Sequence, residues 1–272
     1  MSSPLRKWLK ISLFNLLLVA SIGLVLRYKI AFSLPWVDQK YLLHAHSHFA
    51  FAGWISQALM SLMVQYLVEH GQVGAFRKYR WLIGSNLFTA YGMLISFSLQ
   101  GYALFSIIFS TLSIFVAYGF AISYNKDLKK LSFKSCGQLW FTAAILFNAL
   151  SSLGAFSLAL LLATKQSNQN LYLASIYFFL HFQYNGWFFF GCMGLFINLL
   201  VNAGFNNRIL KRIFWAFSLA CAPAYLLSLL WLNFPWWIFW IVVASALAQL
   251  FSWILLVVKL KGTNFQSLSS LP

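Results

Sequence analysis

His46-Ser-His-Phe-Ala-Phe-Ala-Gly-Trp54 lies near the start of one long apolar stretch, and His181-Phe-Gln-Tyr-Asn-Gly-Trp187 lies near the start of another. Counted from His48 and His181, both read His-Phe-x-aromatic-x-Gly-Trp, with an offset of 133 residues (181 − 48). The chain has 5 histidines in all, so placing two of them in the same local setting is a strong organising signal. What surrounds the two motifs decides the fold.

Of 272 residues, 61% are hydrophobic and 8% charged, against about a quarter charged in soluble domains. Apolar runs of about 20 residues recur along the whole length, the signature of a chain that uses the bilayer as solvent. Eight spanning helices are expected, over 9–31, 39–68, 81–100, 102–124, 138–163, 171–203, 212–232 and 235–259. The net charge of +16 is no nucleic-acid footprint, because the basic residues sit in short segments between apolar runs. Arg6, Lys7, Lys10, Arg77, Lys78, Arg80, Lys126, Lys129, Lys130, Lys134, Arg208, Lys211, Arg212, Lys259 and Lys261 fall on one alternating set of segments. Arg27, Lys29, Lys40 and Lys165 fall on the other, a split of 15 to 4. The positive-inside rule then places both termini in the cytoplasm, as in a multi-pass protein of the inner (cytoplasmic) membrane.

With that topology the second and sixth helices run the same way. Each is the second helix of a four-helix set, so residues 1–124 and 138–259 read as two parallel repeats related by an axis along the membrane normal, with 260–272 as a cytoplasmic tail. His48 and His181 then lie at similar depth, about 14 Å below the outer surface at 1.5 Å per residue.

The chemistry open to such a chain is narrow. The 3 acidic residues, Asp38, Glu69 and Asp127, fall at helix ends or in loops, which excludes carboxylate-bridged di-iron sites and Asp/Glu proton relays. Cys136, Cys192 and Cys221 form no C-x-x-C pair, so neither a zinc site nor covalent haem attachment is signalled. Asn86, Asn148, Asn185, Gln57, Gln65, Gln183 and Gln249 read mostly as interhelical hydrogen-bonding groups. His44, His46, His48 and His181 remain as candidate metal ligands, since ionisable groups inside spans mark function. His44 and His48 share a helix face and His46 points about 200° away. Neutral imidazole suits iron, copper and zinc, and two histidines from two helices suit the two faces of a b-type haem. Gly53 and Gly186, five residues beyond the paired histidines, offer room for close approach. Arg27 and Lys40, with Lys29, Lys165 and Trp36, are the candidate partners for haem propionates on the outer side.

His46-x-His48 followed by Gly53-Trp54 resembles a signature of small membrane proteins grouped with haem-copper oxidase subunit I, including the NnrS-like proteins. His181-Phe182-Gln183-Tyr184 resembles the H-F-H-Y element of those oxidases, with Gln183 in place of the second histidine. The resemblance implies a shortened relative with two four-helix repeats and haem or copper on its second and sixth helices. It implies work in electron transfer, redox sensing or NO/O2 chemistry, beside membrane lipid and a redox partner or oxidase subunits. Two other functions stay open: copper or zinc handling for oxidase assembly, and a structural or lipid-substrate protein without metal.

Overall fold

The computed structural model describes residues 2–133 and 135–261; Lys134 and the expected tail from residue 262 onward lie outside them. Among the described residues there is no strand. Eight helices are long and apolar enough to cross a membrane: α1 (Ser3–Ala31), α2 (Gln39–Glu69), α3 (Ala75–Gln100), α4 (Leu104–Lys130), α5 (Cys136–Ala163), α6 (Gln169–Asn202), α7 (Asn207–Leu229) and α8 (Trp236–Lys261). Several run past the ends that hydropathy alone sets. α3 starts at 75 where 81 was expected, and α4 runs to 130 where 124 was expected. Lys and Arg are nearly as good helix formers as Leu, so the backbone stays helical after the apolar run has ended.

Contacts divide the chain into two units, Met1–Ser132 and Phe133–Pro272. In the first, α2 packs against both α1 and α3, and α3 carries α4. Its basic end is closed around Asp127, whose side chain is only 3% exposed. Asp127 accepts from Lys78, from Lys130 at 3.4 Å and from the Tyr79 hydroxyl at 2.9 Å, while Gln72 Nε2 donates to its carbonyl at 2.9 Å. In the second unit, α6 lies along α5, α7 contacts both, and α8 packs on α7.

The helices that carry the repeated motif, α2 and α6, are built alike. Each opens on a short polar cap: Asp38 accepts from the Tyr41 amide at 2.8 Å, and Asn168 from the Leu171 amide at 3.1 Å. Each closes on a left-handed glycine, Gly71 at φ 100° and Gly204 at φ 84°. The amide that follows reaches back five residues, Gln72 to the Leu67 carbonyl at 2.9 Å and Phe205 to the Leu200 carbonyl at 3.0 Å. That is the Schellman arrangement, which needs a residue free of Cβ strain at positive φ. Gly71 follows His48 by 23 residues (71 − 48), and Gly204 follows His181 by 23 (204 − 181). Between these limits Met60 and Met193, and Leu67 and Leu200, hold equivalent positions, and all four are buried.

Both helices also break regularity inside the motif. A seven-residue π-helical segment runs over Ala50–Ser56 in α2 and over Phe182–Phe188 in α6. A π-segment lengthens the hydrogen-bonded ring by one residue, weakens the ladder and is retained mostly where function or packing requires it.

Candidate functional site in the second helix of each unit

In the first unit neighbouring helices hold the π-segment open. Asn86 on α3 donates through Nδ2 to the Ala52 carbonyl at 2.9 Å, and Asn15 on α1 donates to the Gly53 carbonyl. Asn15 is fully buried and accepts from the Tyr91 hydroxyl at 2.7 Å. Asn86 also donates to Gln57 Oε1 at 2.8 Å. Carbonyls loosened by the wide turn thus find amide donors, which a dry interior demands. Asn86 and Gln57 take the interhelical role the sequence suggests. The room at Gly53 is filled by a ring of its own helix: a Cβ there would lie 2.6 Å from Phe49 Cε2.

One turn before this segment, His44 and His48 present their rings to the same neighbours. His48 stacks on Phe97 of α3, with ring centroids 4.4 Å apart and planes 13° apart. Its Nε2 is 3.1 Å from the Tyr102 hydroxyl. His44 meets the Tyr102 ring edge-on at 4.6 Å, and its Nε2 is buried with no hydrogen-bond partner. His46 points the other way, towards Gly23 of α1, where a Cβ would come within 3.3 Å of its Cε1. Its Nδ1 is likewise buried without a partner. A buried unsatisfied nitrogen costs about 1–3 kcal/mol, so His44 and His46 both carry unspent bonding capacity.

Tyr102 is a residue the sequence did not mark. The fourth span was expected to begin at residue 102, but α4 begins at Leu104 and leaves Tyr102 in the turn after α3. That turn is fixed. Gly101 is at φ 61°, and a Cβ on it would overlap the Tyr41 ring. Ser106, fully buried, accepts from the Ala103 amide at 2.8 Å and donates to the Gly101 carbonyl at 2.7 Å. The sequence signal was the glycine just past an apolar run; that it aims a phenol at a histidine is a tertiary fact.

The second unit uses the same motif differently. His181 is 7% exposed, and both ring nitrogens are engaged. Nε2 donates to the Cys221 carbonyl on α7 at 2.8 Å, and Nδ1 accepts from Asn185 at 3.2 Å. The Cys221 thiol returns to the Asn185 carbonyl at 3.5 Å. The Cys221 carbonyl is available because α7 tightens into a 3-10 turn over Tyr225–Leu229, and the Tyr225 amide turns to Ala222 and Pro223 instead. Gln183, at the position where the resembling element has its second histidine, donates to Asn148 Oδ1 at 2.8 Å and to Ser151 Oγ at 2.7 Å. The room at Gly186 is taken by Phe147 of α5, 2.5 Å from where a Cβ would sit. Of the candidate propionate partners, Lys29 Nζ donates to the Leu34 carbonyl at 2.8 Å in the α1–α2 turn, while Arg27 and Lys40 are exposed.

A metal or haem held by imidazole needs an open ring nitrogen on each ligand. His44 meets this as it stands, and His48 meets it by exchanging its Tyr102 contact. His181 donates one ring N–H to a backbone carbonyl, as ligating imidazoles do, and would meet the requirement by exchanging its Asn185 contact at Nδ1, as His48 would its Tyr102 contact. Among the described residues no three His, Cys, Asp or Glu side chains converge on one point. The chain matches no family model, no curated protein and no solved structure. Fold and site together define a class: an all-helical chain whose eight apolar helices suggest a multi-pass membrane protein, with a histidine pair at one end of its first unit.

Proposed function

We propose that the protein is an integral membrane metalloprotein related to haem-copper oxidase subunit I. In this reading its eight spans form two parallel four-helix repeats with cytoplasmic termini in the inner membrane. A redox cofactor, copper or b-type haem, is held by the histidines of α2, and the protein works in electron transfer, redox sensing or small-gas chemistry beside a redox partner or oxidase subunits. The observation that carries the reading is His44 Nε2, buried and without a partner on the face it shares with His48. The matching caps, closing glycines and π-segments of α2 and α6 support the repeat.

Bound at neutral imidazoles, either group supplies one-electron chemistry. The protein's own share is to aim the His44 and His48 rings, to wall the site with Phe97 and to keep a hydroxyl beside Nε2 of His48. Copper is favoured by His44 and His48 meeting the same two neighbours, Phe97 and Tyr102, from one helix. Haem is favoured by the recurrence of His-Phe-x-aromatic-x-Gly-Trp on a second helix.

The test is the absorption spectrum and metal content of the protein purified from a membrane fraction. A Soret band with split visible bands on reduction identifies haem; stoichiometric copper without a Soret band identifies copper. His48→Ala is expected to remove either signal and His70→Ala to leave it intact. Protein carrying neither group, with function retained in His44→Ala and His48→Ala, overturns the proposal in favour of a non-metal role.

A further inference from the structure

The geometry points to a three-ligand copper(II) site formed by His44, His48 and the phenol of Tyr102; this rests on the metal-binding reading above and adds the third donor and the choice of ion. Three observations meet here. His44 Nε2 is buried and unpartnered. His48 Nε2 is 3.1 Å from the Tyr102 hydroxyl oxygen. The His44 and Tyr102 rings are in edge contact at 4.6 Å, and both lie against Phe97, at 6.2 and 4.9 Å.

Two donors on one metal, each at about 2.1 Å, stand about 3.0 Å apart at a right angle and about 3.4 Å apart at the tetrahedral angle. The His48–Tyr102 separation of 3.1 Å therefore suits two adjacent ligands as well as it suits a hydrogen bond. His44, one helical turn before His48, brings a third donor to the same face. Its nitrogen then gains the partner that the protein does not supply.

The donor set selects the ion. Two neutral imidazoles and a phenolate oxygen make a nitrogen–oxygen set without thiolate, which suits copper(II) in a tetragonal site. Tyr102 ligates as phenolate, so its hydroxyl proton leaves to solvent and one proton is released per ion bound. Tyr102 is 51% exposed, which leaves that side of the ion open to water or a small ligand. The buried Ser106 and the positive-φ Gly101 hold the turn, so the phenol is positioned before the ion arrives.

The experiment uses the full chain in detergent, freed of metal with a chelator and titrated with copper(II) sulfate. The expected result is one copper per chain, one proton released, and a visible phenolate-to-copper charge-transfer band. Tyr102→Phe abolishes the band and weakens binding at least about tenfold, with the His44–His48 pair still holding copper. His44→Ala and the milder His44→Gln lose stoichiometric copper while keeping the wild-type helical circular dichroism. Copper bound without the band, and unchanged in Tyr102→Phe, overturns the phenolate site but leaves the metalloprotein reading standing. No copper bound by the wild-type chain overturns the site; if the protein as purified also carries neither haem nor copper, the broader reading falls with it.

Discussion

Tyr102, Asp127 and Gly53 show what single positions decide. Asp127 is nearly closed off from solvent and takes three side-chain donors, so it ties the start of α3 to the end of α4. Asp127→Asn keeps the shape and removes the charge. Because Lys78 and Lys130 are 50% and 70% exposed and regain water, the loss falls below that of a fully buried pair, at about 2 kcal/mol. Lower thermal stability of the purified variant checks it; an unchanged melting curve would show that the carboxylate holds nothing. Gly53→Ala pushes a methyl into the Phe49 ring and is expected to cost about 1–3 kcal/mol. Phe49→Leu in the same chain should recover part of that loss. The importance of Gly53 was legible in the sequence but its occupant was not, since an open space and a filled one leave the same glycine. Asp127 was legible only as a carboxylate at a helix end, because Lys78 and Tyr79 sit 49 and 48 residues away in sequence.

At the scale of the element, α2 and α6 were visible as apolar runs and their π-segments were not. No local propensity marks Ala50–Ser56; the segment persists because Asn15 and Asn86, on two other helices, donate to its carbonyls. Asn15→Ala and Asn86→Ala are each expected to cost about 1–3 kcal/mol and to speed amide hydrogen exchange within 50–56 before the rest of α2. Deleting Ala52 is the sharper trial. A π-turn takes up one extra residue, so removing one there lets α2 close as a regular helix with the buried Met60, Met63 and Leu67 still facing the core. Deleting Leu62, in the regular part of α2, instead rotates the buried Met63, Val64 and Leu67 by about 100°. The Leu62 deletion should therefore damage folding far more than the Ala52 deletion. Equal damage from the two would mean that the segment does not absorb a residue.

For the whole molecule, hydropathy found eight helices, and their ends were misjudged where Arg and Lys prolong them. The histidine pair was legible because imidazoles within long apolar runs are rare. Its third neighbour was not, because Tyr102 depends on a turn built by Gly101 and Ser106. Reporter fusions at residues 72, 130 and 207 are expected to read cytoplasmic, following the 15-to-4 charge split; a periplasmic reading at any of them breaks the eight-span topology. Contacts divide the chain into two units between Ser132 and Phe133, so fragments 1–132 and 133–272, made as separate chains in one cell, should each resist proteolysis. The Cys221 contact also gives the second unit a clock. Cys192 is exposed while Cys136 and Cys221 are buried, so a membrane-permeant alkylating reagent should take Cys192 at once. It should reach Cys221 only when α7 lifts from His181 and Asn185; at reagent levels where alkylation outpaces reclosing, the delay between the two labels is the lifetime of the closed state, read from the native chain with no probe added.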